Sequence, residues 1–201
     1  MTIPAFIHAR RSIRQFAPQA IATADIDTCI AAALCAPAPH HTQPWRWVTI
    51  TDLATKQRFA EAMGARWRID LERDHVDAAI IERLIVGSIA RLADTPALVL
   101  GCLTRDGLDT YPDAERTNAE WGMALLSLGA AVENFMLTAS HLDLASCWVA
   151  APIFCPDVCN DALQLDATWI PQALLCVGYP DASYVPRART DLDLDAFRVM
   201  R

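Results

Sequence analysis

Arg10, Arg11 and Arg14 set three guanidinium groups around the hydroxyl of Ser12 within the run Arg10-Arg11-Ser12-Ile13-Arg14-Gln15-Phe16. Guanidinium forks match the oxygens of phosphate and carboxylate, and three held this close repel one another unless an anion or nearby carboxylates compensate. Alone, the run reads equally well as a solvated basic turn or as an anion site. A further pair, Arg187 and Arg189, stands near the C-terminus in Tyr184-Val185-Pro186-Arg187-Ala188-Arg189. The chain as a whole is acidic, with 24 Asp and Glu against 17 Lys and Arg and a formal net charge of −7. An anion site here must therefore be local, and non-specific nucleic-acid binding is disfavoured.

Other chemistries find no pattern. The seven glycines form neither GxGxxG nor a Walker loop, which disfavours Rossmann and P-loop nucleotide sites. His8, His40, His41, His75 and His141 show no HxxxH or HExxH spacing, so no metal centre is expected. There is no GxSxG elbow, and neither Ser12 nor Ser88 has a base nearby in sequence. The seven cysteines include no CxxC pair; Cys155 and Cys159 are four apart, and with Cys29, Cys35, Cys102, Cys147 and Cys176 they lie in apolar surroundings. That usage suits reduced, buried thiols in the cytoplasm. No basic-then-apolar signal segment is visible, and apolar runs such as Pro96 to Leu103 are too short for a bilayer, so no membrane association is expected.

The elements that would position these residues follow from periodicity. Ile26, Ile30, Ala33 and Leu34 recur at helical spacing after Thr23, until Pro37 and Pro39 end the pattern. Trp45 to Thr51 reads as an aromatic, β-branched strand. A helix follows from about Leu53 to Met63, then a basic-aromatic stretch at Arg66-Trp67-Arg68, then a helix from about Val76 to Leu92. Pro96 to Leu103 reads as a buried strand. The segment from about Asp113 to His141 is the longest helical candidate, apolar on more than one face and so expected to be buried nearly all round. Short strands at Ser146 to Val149 and Gln172 to Val177 flank a short helix after Pro156, and no pattern is evident from Asp181 onward.

This order is neither a βαβ alternation nor a bundle. It predicts one α+β domain over residues 1–201, with a small sheet packed around one long central helix. Apolar surface left over on that helix would be covered by a second copy, so a homodimer is expected.

Four segments remain: the Arg run, the loop Ala36-Pro37-Ala38-Pro39-His40-His41-Thr42-Gln43-Pro44-Trp45, the strand Leu144-Ala145-Ser146-Cys147-Trp148-Val149-Ala150-Ala151-Pro152, and the basic tail. Each has a bland reading by itself, as a turn, a connector, a core strand and a solvated end. Together and in this order they resemble the FMN-dependent nitroreductase family across nearly the whole length. The resemblance implies that family's fold, with a small mixed sheet and a dimeric assembly. Within it, APAPHHTQPWRWV, YPDAERTNAE and LASCWVAAPIF are similar to the C-terminal flavin domain of the bifunctional ligases that complete coenzyme F-420.

The resemblance implies FMN as cofactor and an oxidoreductase that moves hydride in ping-pong order, with NAD(P)H or a reduced deazaflavin as donor. The F-420 branch implies a dehydro precursor of that coenzyme as acceptor; the wider family implies nitroaromatics or quinones, one branch fragments its own flavin, and a module that binds flavin without turnover is the remaining alternative. Arg10, Arg11 and Ser12, with Ile13 between them and Arg14, match the residues that hold the FMN phosphate and ribityl chain. Arg14 itself matches the basic position at the pyrimidine edge. Pro37, Ala38 and His40 match the loop that reaches the partner's flavin, with Ala38 where many members carry Ser. Trp148, Val149 and Ala150 match the backbone facing the ring, and Arg187 and Arg189 match the tail's phosphate clamp. The candidates for the open substrate face are Met63, Arg66, Trp67, Arg68 and Asp70, whose two arginines would offer an acidic substrate a positive patch.

Overall fold

The computed structural model of the chain describes residues 3–185, 187–190 and 193–201. Its centre is a pair of strands, β2 (Ala97–Leu103) and β4 (Ile170–Gly178), whose near-continuous apolar runs are buried on both faces. They lie inside a four-stranded sheet ordered β1-β2-β4-β3, with β1 (Trp45–Ile50) and β3 (Ala145–Val149) at the edges. All neighbouring strands pair antiparallel. The mixed character expected of the sheet is confined to an isolated parallel bridge between Ser12 and Ser146.

Helices cover both faces, so the sheet is the central layer, where the sequence had suggested the long helix. On one face α2 (Thr23–Ala33) and α5 (Ala114–His141) bury Ile26, Ala33, Leu128, Val132 and Phe135 against Val99, Leu103 and Leu175. On the other, α3 (Leu53–Arg73), α4 (Ala78–Asp94) and α6 (Pro156–Leu163) bring Phe59, Met63, Leu92 and Cys159 onto Leu98, Leu100 and Leu174. Two short helices, α1 (Ala5–Ala9) and α7 (Leu194–Phe197), do not show in the sequence because each is too brief to display a period.

The helix expected to end near Met63 runs on to Arg73. Arginine is a good helix former, and the pairs Arg66–Asp70 (3.7 Å) and Arg68–Glu82 (2.6 Å) hold the basic stretch in register along and across the helices. Gly64 permits the close approach of α4, since a Cβ there would stand 3.1 Å from Ile89.

Helix α5 begins at Asp113, whose carboxylate accepts from the Arg116 backbone N–H at 2.8 Å. It is long and apolar enough to cross a membrane by length and composition alone. It nevertheless buries a stripe at 124, 128, 131, 132, 135 and 139 in the core. The expectation of burial nearly all round does not hold within one chain, because Met123, Leu125 and Leu126 (76% accessible) face outward. Cys35 likewise proves exposed, while the other six thiols are buried.

The Arg run docks against the sheet through few contacts. Ile13 N–H donates to the Ser146 carbonyl at 3.0 Å, Ala17 N–H to Tyr179 at 2.9 Å, and Asp181 N–H to Gln15 at 3.1 Å. Phe16 fills the space above Gly178, where a Cβ would lie 2.9 Å from Phe16 Cδ1 and 2.9 Å from Pro96 Cγ.

Two outcomes follow. Gly178→Ala is expected to lose about 1–3 kcal/mol of stability in urea unfolding, because Phe16 and Pro96 are pinned from both sides. The carboxyls of Asp113 and Asp52 are held below their ordinary value by hydrogen bonds from Arg116 and Thr55. In both cases the folded state binds protons less readily than the unfolded one, so their contribution is present above about pH 4 and lost as pH falls further. Asp113→Asn keeps a capping oxygen without titrating there, so its unfolding midpoint is expected to fall less steeply than the parent's below that pH.

Candidate functional site

The edge strand β3 organises the site. Side chains alternate along it, so Cys147 and Val149 face the α3/α6 side while Ser146 and Trp148 face the other. Ser146 is buried; Trp148 is 43% accessible at the open end.

Beside this edge the two basic motifs meet. Arg10 reaches Glu133 on α5, with Nε 3.0 Å from Oε1, but the contact is Coulombic: the buried Nε–H has no aligned acceptor. Arg11 turns back on α1, its Nη1 donating to the carbonyls of His8 and Arg10, and its buried Nε is also without an acceptor. Arg189 donates from Nη2 to the Arg10 carbonyl at 2.7 Å and to Ile7 at 3.3 Å. Tyr184 Oη donates to the Ser12 carbonyl at 3.5 Å. Arg187 is exposed, and Pro186 of the same motif lies outside the described residues. The tail is thus laid over the start of the Arg run.

Arg14 points elsewhere. With Phe16, Arg91, Cys147, Val149 and Cys176 it lines a cleft on the other face of β3 of about 10 Å³, room for about one water. Arg91, from the last turn of α4, is a residue that the sequence reading missed. A basic residue at a helix C-terminus ordinarily serves the helix dipole, so nothing in the sequence singles it out. Among the described residues neither Arg14 nor Arg91 has a carboxylate within ion-pair distance. Burial pushes the Cys147 thiol up, while Arg14 and Arg91 pull it back down. Burial pushes Cys176 up to about 12. Both thiols are therefore protonated, inert walls of the cleft.

Pro37, Ala38 and His40 are not brought to this place. They precede β1, at the opposite edge of the sheet, three strand spacings or about 14 Å from β3. His40, His41 and Gln43 all adopt positive φ (50°, 55° and 46°), a costly conformation for residues with a Cβ. His40 Nε2 lies 3.8 Å from Asp109 Oδ2.

The substrate-face candidates lie on α3. Met63 is in the core, Trp67 is exposed, and Arg66 spans Asp70 and Asp157, at 3.7 Å each. Arg68 is tied to Glu82, and Asp70 also takes Arg73 at 3.8 Å. The positive patch read from the sequence is thus neutralised by carboxylates of α3, α4 and α6.

This architecture occurs in known proteins. A BluB-like flavoprotein from Clostridium difficile superposes with a TM-score of 0.82 at 23% identity, over 100% of this chain and 99% of that one. A nitroreductase from Desulfovibrio desulfuricans, solved in complex with FMN, gives 0.72 at 20% identity over 100% and 98%. In sequence, a protein of Streptococcus pyogenes named for NAD(P)H nitroreductase activity is 24% identical over 193 residues, 92% of each chain. A 79-residue segment is 33% identical to iodotyrosine deiodinase of Danio rerio, spanning 33% of this chain and 27% of that protein. Residues 7–179 match the model of the Nitroreductase family, and the chain belongs to that family of oxidoreductases.

Proposed function

We propose that the protein is an FMN-dependent oxidoreductase that takes reducing equivalents from NAD(P)H and passes them to a small acceptor in ping-pong order, working as a homodimer. The observation that carries this reading is the division of cations around β3. Arg10, Arg11 and Arg189 gather on one side with two buried guanidinium nitrogens lacking acceptors, while Arg14 and Arg91 converge in the cleft on the other side without a carboxylate. FMN has two ends of matching character, a phosphate dianion and an electron-rich pyrimidine edge, so the residues present fit it.

Arg10, Arg11, Ser12, Arg187 and Arg189 would hold the phosphate and ribityl chain, aided by the Ile13 backbone. Arg14 and Arg91 would lie at the pyrimidine edge, and the backbone of Trp148, Val149 and Ala150 would face the ring. Bound FMN would supply the two-electron hydride chemistry. The role of the chain is electrostatic: two unpaired guanidiniums in a narrow, partly apolar cleft favour whatever species there carries more negative charge. Glu133 competes for Arg10, which sets an upper limit on the phosphate's gain from that contact.

Homodimerisation rests on the separation of the two edges. A loop held with three positive-φ side chains, leading into β1 at the sheet edge opposite β3, is explained if it serves a second copy's site. Exposed apolar side chains supply surface for such a partner: Phe6 and Ile7 on α1, Leu126 on α5, and Phe197 and Val199 near the C-terminus. Two of the relatives above carry nitroreductase names, one of them with NAD(P)H in it, which favours NAD(P)H as donor and a nitroaromatic or quinone as acceptor, while the BluB-like flavoprotein keeps flavin fragmentation in view. Reduced deazaflavin as donor and a dehydro F-420 precursor as acceptor rest on the quoted motifs alone, and the screen decides between them. Six buried thiols are in keeping with a cytoplasmic setting.

The test is to load the purified protein with FMN, bleach it anaerobically with NADH or NADPH, and follow turnover with each acceptor class. Failure to take up FMN, or bound flavin that neither nicotinamide donor reduces, overturns the reading; a benzimidazole product on aeration would replace reduction by flavin fragmentation. Arg10→Ala is expected to weaken FMN binding about tenfold or more in a fluorescence titration, the loss of one charge-assisted contact. Arg91→Ala is expected to shift the flavin midpoint potential negative while changing FMN affinity less than Arg10→Ala does. Sedimentation should show two chains per particle, with FMN affinity falling on dilution below the dimer's dissociation range.

A further inference from the structure

Lys56 is the only lysine in the chain, and it is buried, 5% accessible. It opens the inward stripe of α3, followed by Phe59, Ala60, Met63 and Gly64, where an apolar side chain would be ordinary. An ammonium is a compact, strongly hydrated charge, so burying it is costly unless its hydrogens find acceptors. Among the described residues no carboxylate lies within ion-pair distance of it. Its Nζ donates instead to the Thr95 carbonyl at 2.5 Å and to the Pro96 carbonyl at 3.5 Å. Those two residues are the whole connection between α4, which ends at Asp94, and β2, which begins at Ala97.

Both cations of the cleft depend on this joint. Thr95 Oγ1 donates to the Arg91 carbonyl at 2.7 Å, tying the last turn of α4 to the connection. Pro96 and Phe16 flank Gly178, where a Cβ would lie 2.9 Å from Pro96 Cγ and 2.9 Å from Phe16 Cδ1. Phe16 stands two residues beyond Arg14, and both line the cleft with Arg91. Lys56 does not line it. Its ammonium is therefore one step behind the cleft, joined to Arg91 by way of Thr95 and to the Arg14 segment by way of Pro96.

Strand β2 is buried at every position, and close packing leaves it little room to shift. A change at the joint is thus taken up by the direction of α4, and Arg91 lies one turn from that joint. Loss of the ammonium takes a donor from the carbonyl of the buried Thr95, and the connection must turn to find another.

We propose that Lys56 is a positioning residue: by holding the Thr95–Pro96 joint it fixes how Arg91 enters the cleft, and through Arg91 it tunes the reduction potential of the flavin. The second half rests on the proposed function; the placement of Arg91 does not.

The experiment compares Lys56→Met, which keeps an unbranched side chain and removes the donors, with Lys56→Arg, Arg91→Ala and the double variant Lys56→Met/Arg91→Ala. In isotope-labelled, flavin-free protein the NMR signal of Arg91 Nε–Hε, identified by its loss in Arg91→Ala, should shift in Lys56→Met and return toward the parent position in Lys56→Arg, which restores donors to the joint. With FMN bound, Lys56→Met should move the midpoint potential negative, as Arg91→Ala does. The double variant should match Arg91→Ala alone, because a residue that acts through another adds nothing once that other is gone. An Arg91 signal unmoved in folded Lys56→Met, a potential that Lys56→Met leaves unchanged, or shifts that add in the double variant would overturn the proposal. If Lys56→Met does not fold, Thr95→Val breaks the bond to the Arg91 carbonyl and is held to the same outcomes. The NMR arm uses flavin-free protein, so a failure to bind FMN would leave the placement of Arg91 tested and standing.

Discussion

Everything at the candidate site hangs on the seating of one short segment against the end of a buried sheet. Ile13 gives its N–H to Ser146, and Phe16 drops into the space that Gly178 leaves open. Between these two points the chain passes from the edge of β3 to Pro180, just beyond the end of β4, where Phe16 forms an isolated antiparallel bridge. The rigid part of this arrangement is the sheet: β2 and β4 are buried at nearly every position, and close packing leaves their ends little freedom. The segment borrows that rigidity. Arg14 is placed to within a side-chain rotamer because the backbone that carries it is held on both sides, and Arg10 and Arg11 lie just before the first of these anchors.

An acidic chain can then be locally basic without contradiction. What separates a functional cation from a structural one is its company. Arg66, Arg68 and Arg116 each lie against a carboxylate and contribute little field beyond it. Exposed pairs of this kind add little stability either, about 0–1 kcal/mol; their effect is to orient helices. Arg14 and Arg91 have no such neighbour among the described residues and share one cleft with apolar walls, where the low dielectric lets their fields extend. The count of Arg in a sequence cannot distinguish these cases.

That distinction explains what was legible beforehand. The strands and, apart from the C-terminal half of α3, the long helices show in the sequence to within a residue or two, because β2 and β4 are continuous apolar runs and α5 carries a sustained period. The Arg run, the Pro-rich loop and the tail were legible as motifs, and the structure brings the first and last together through Arg189 on the Arg10 carbonyl. Three things were not legible. Arg91 was hidden because its partner Arg14 is 77 positions away and only the fold of α4 against the sheet unites them. The extension of α3 was hidden because the basic stretch gains its order from Glu82 and Asp157 on other helices. The outward face of α5 was hidden because apolar composition does not say whether a surface is covered by the same chain or by another.

The free edge of β3 gives these observations a common reason. A strand edge normally needs protection, since its unpaired N–H and C=O groups invite another strand. Here the Arg run touches the edge at the Ser12–Ser146 bridge and then departs, so beyond Ser146 no described segment pairs with its outer side. Trp148, two residues beyond Ser146, therefore turns its backbone N–H and C=O to that unpaired side, and its side chain stands partly open above them. Flanked by guanidiniums on both faces, such an edge discourages a second strand through charge and bulk while remaining available to a flat, hydrogen-bonding, anionic ligand. A sheet of only four strands has two edges. One holds the cations, and the other carries the loop in which His40, His41 and Gln43 adopt positive φ, so the two features occupy opposite ends of the sheet within one chain.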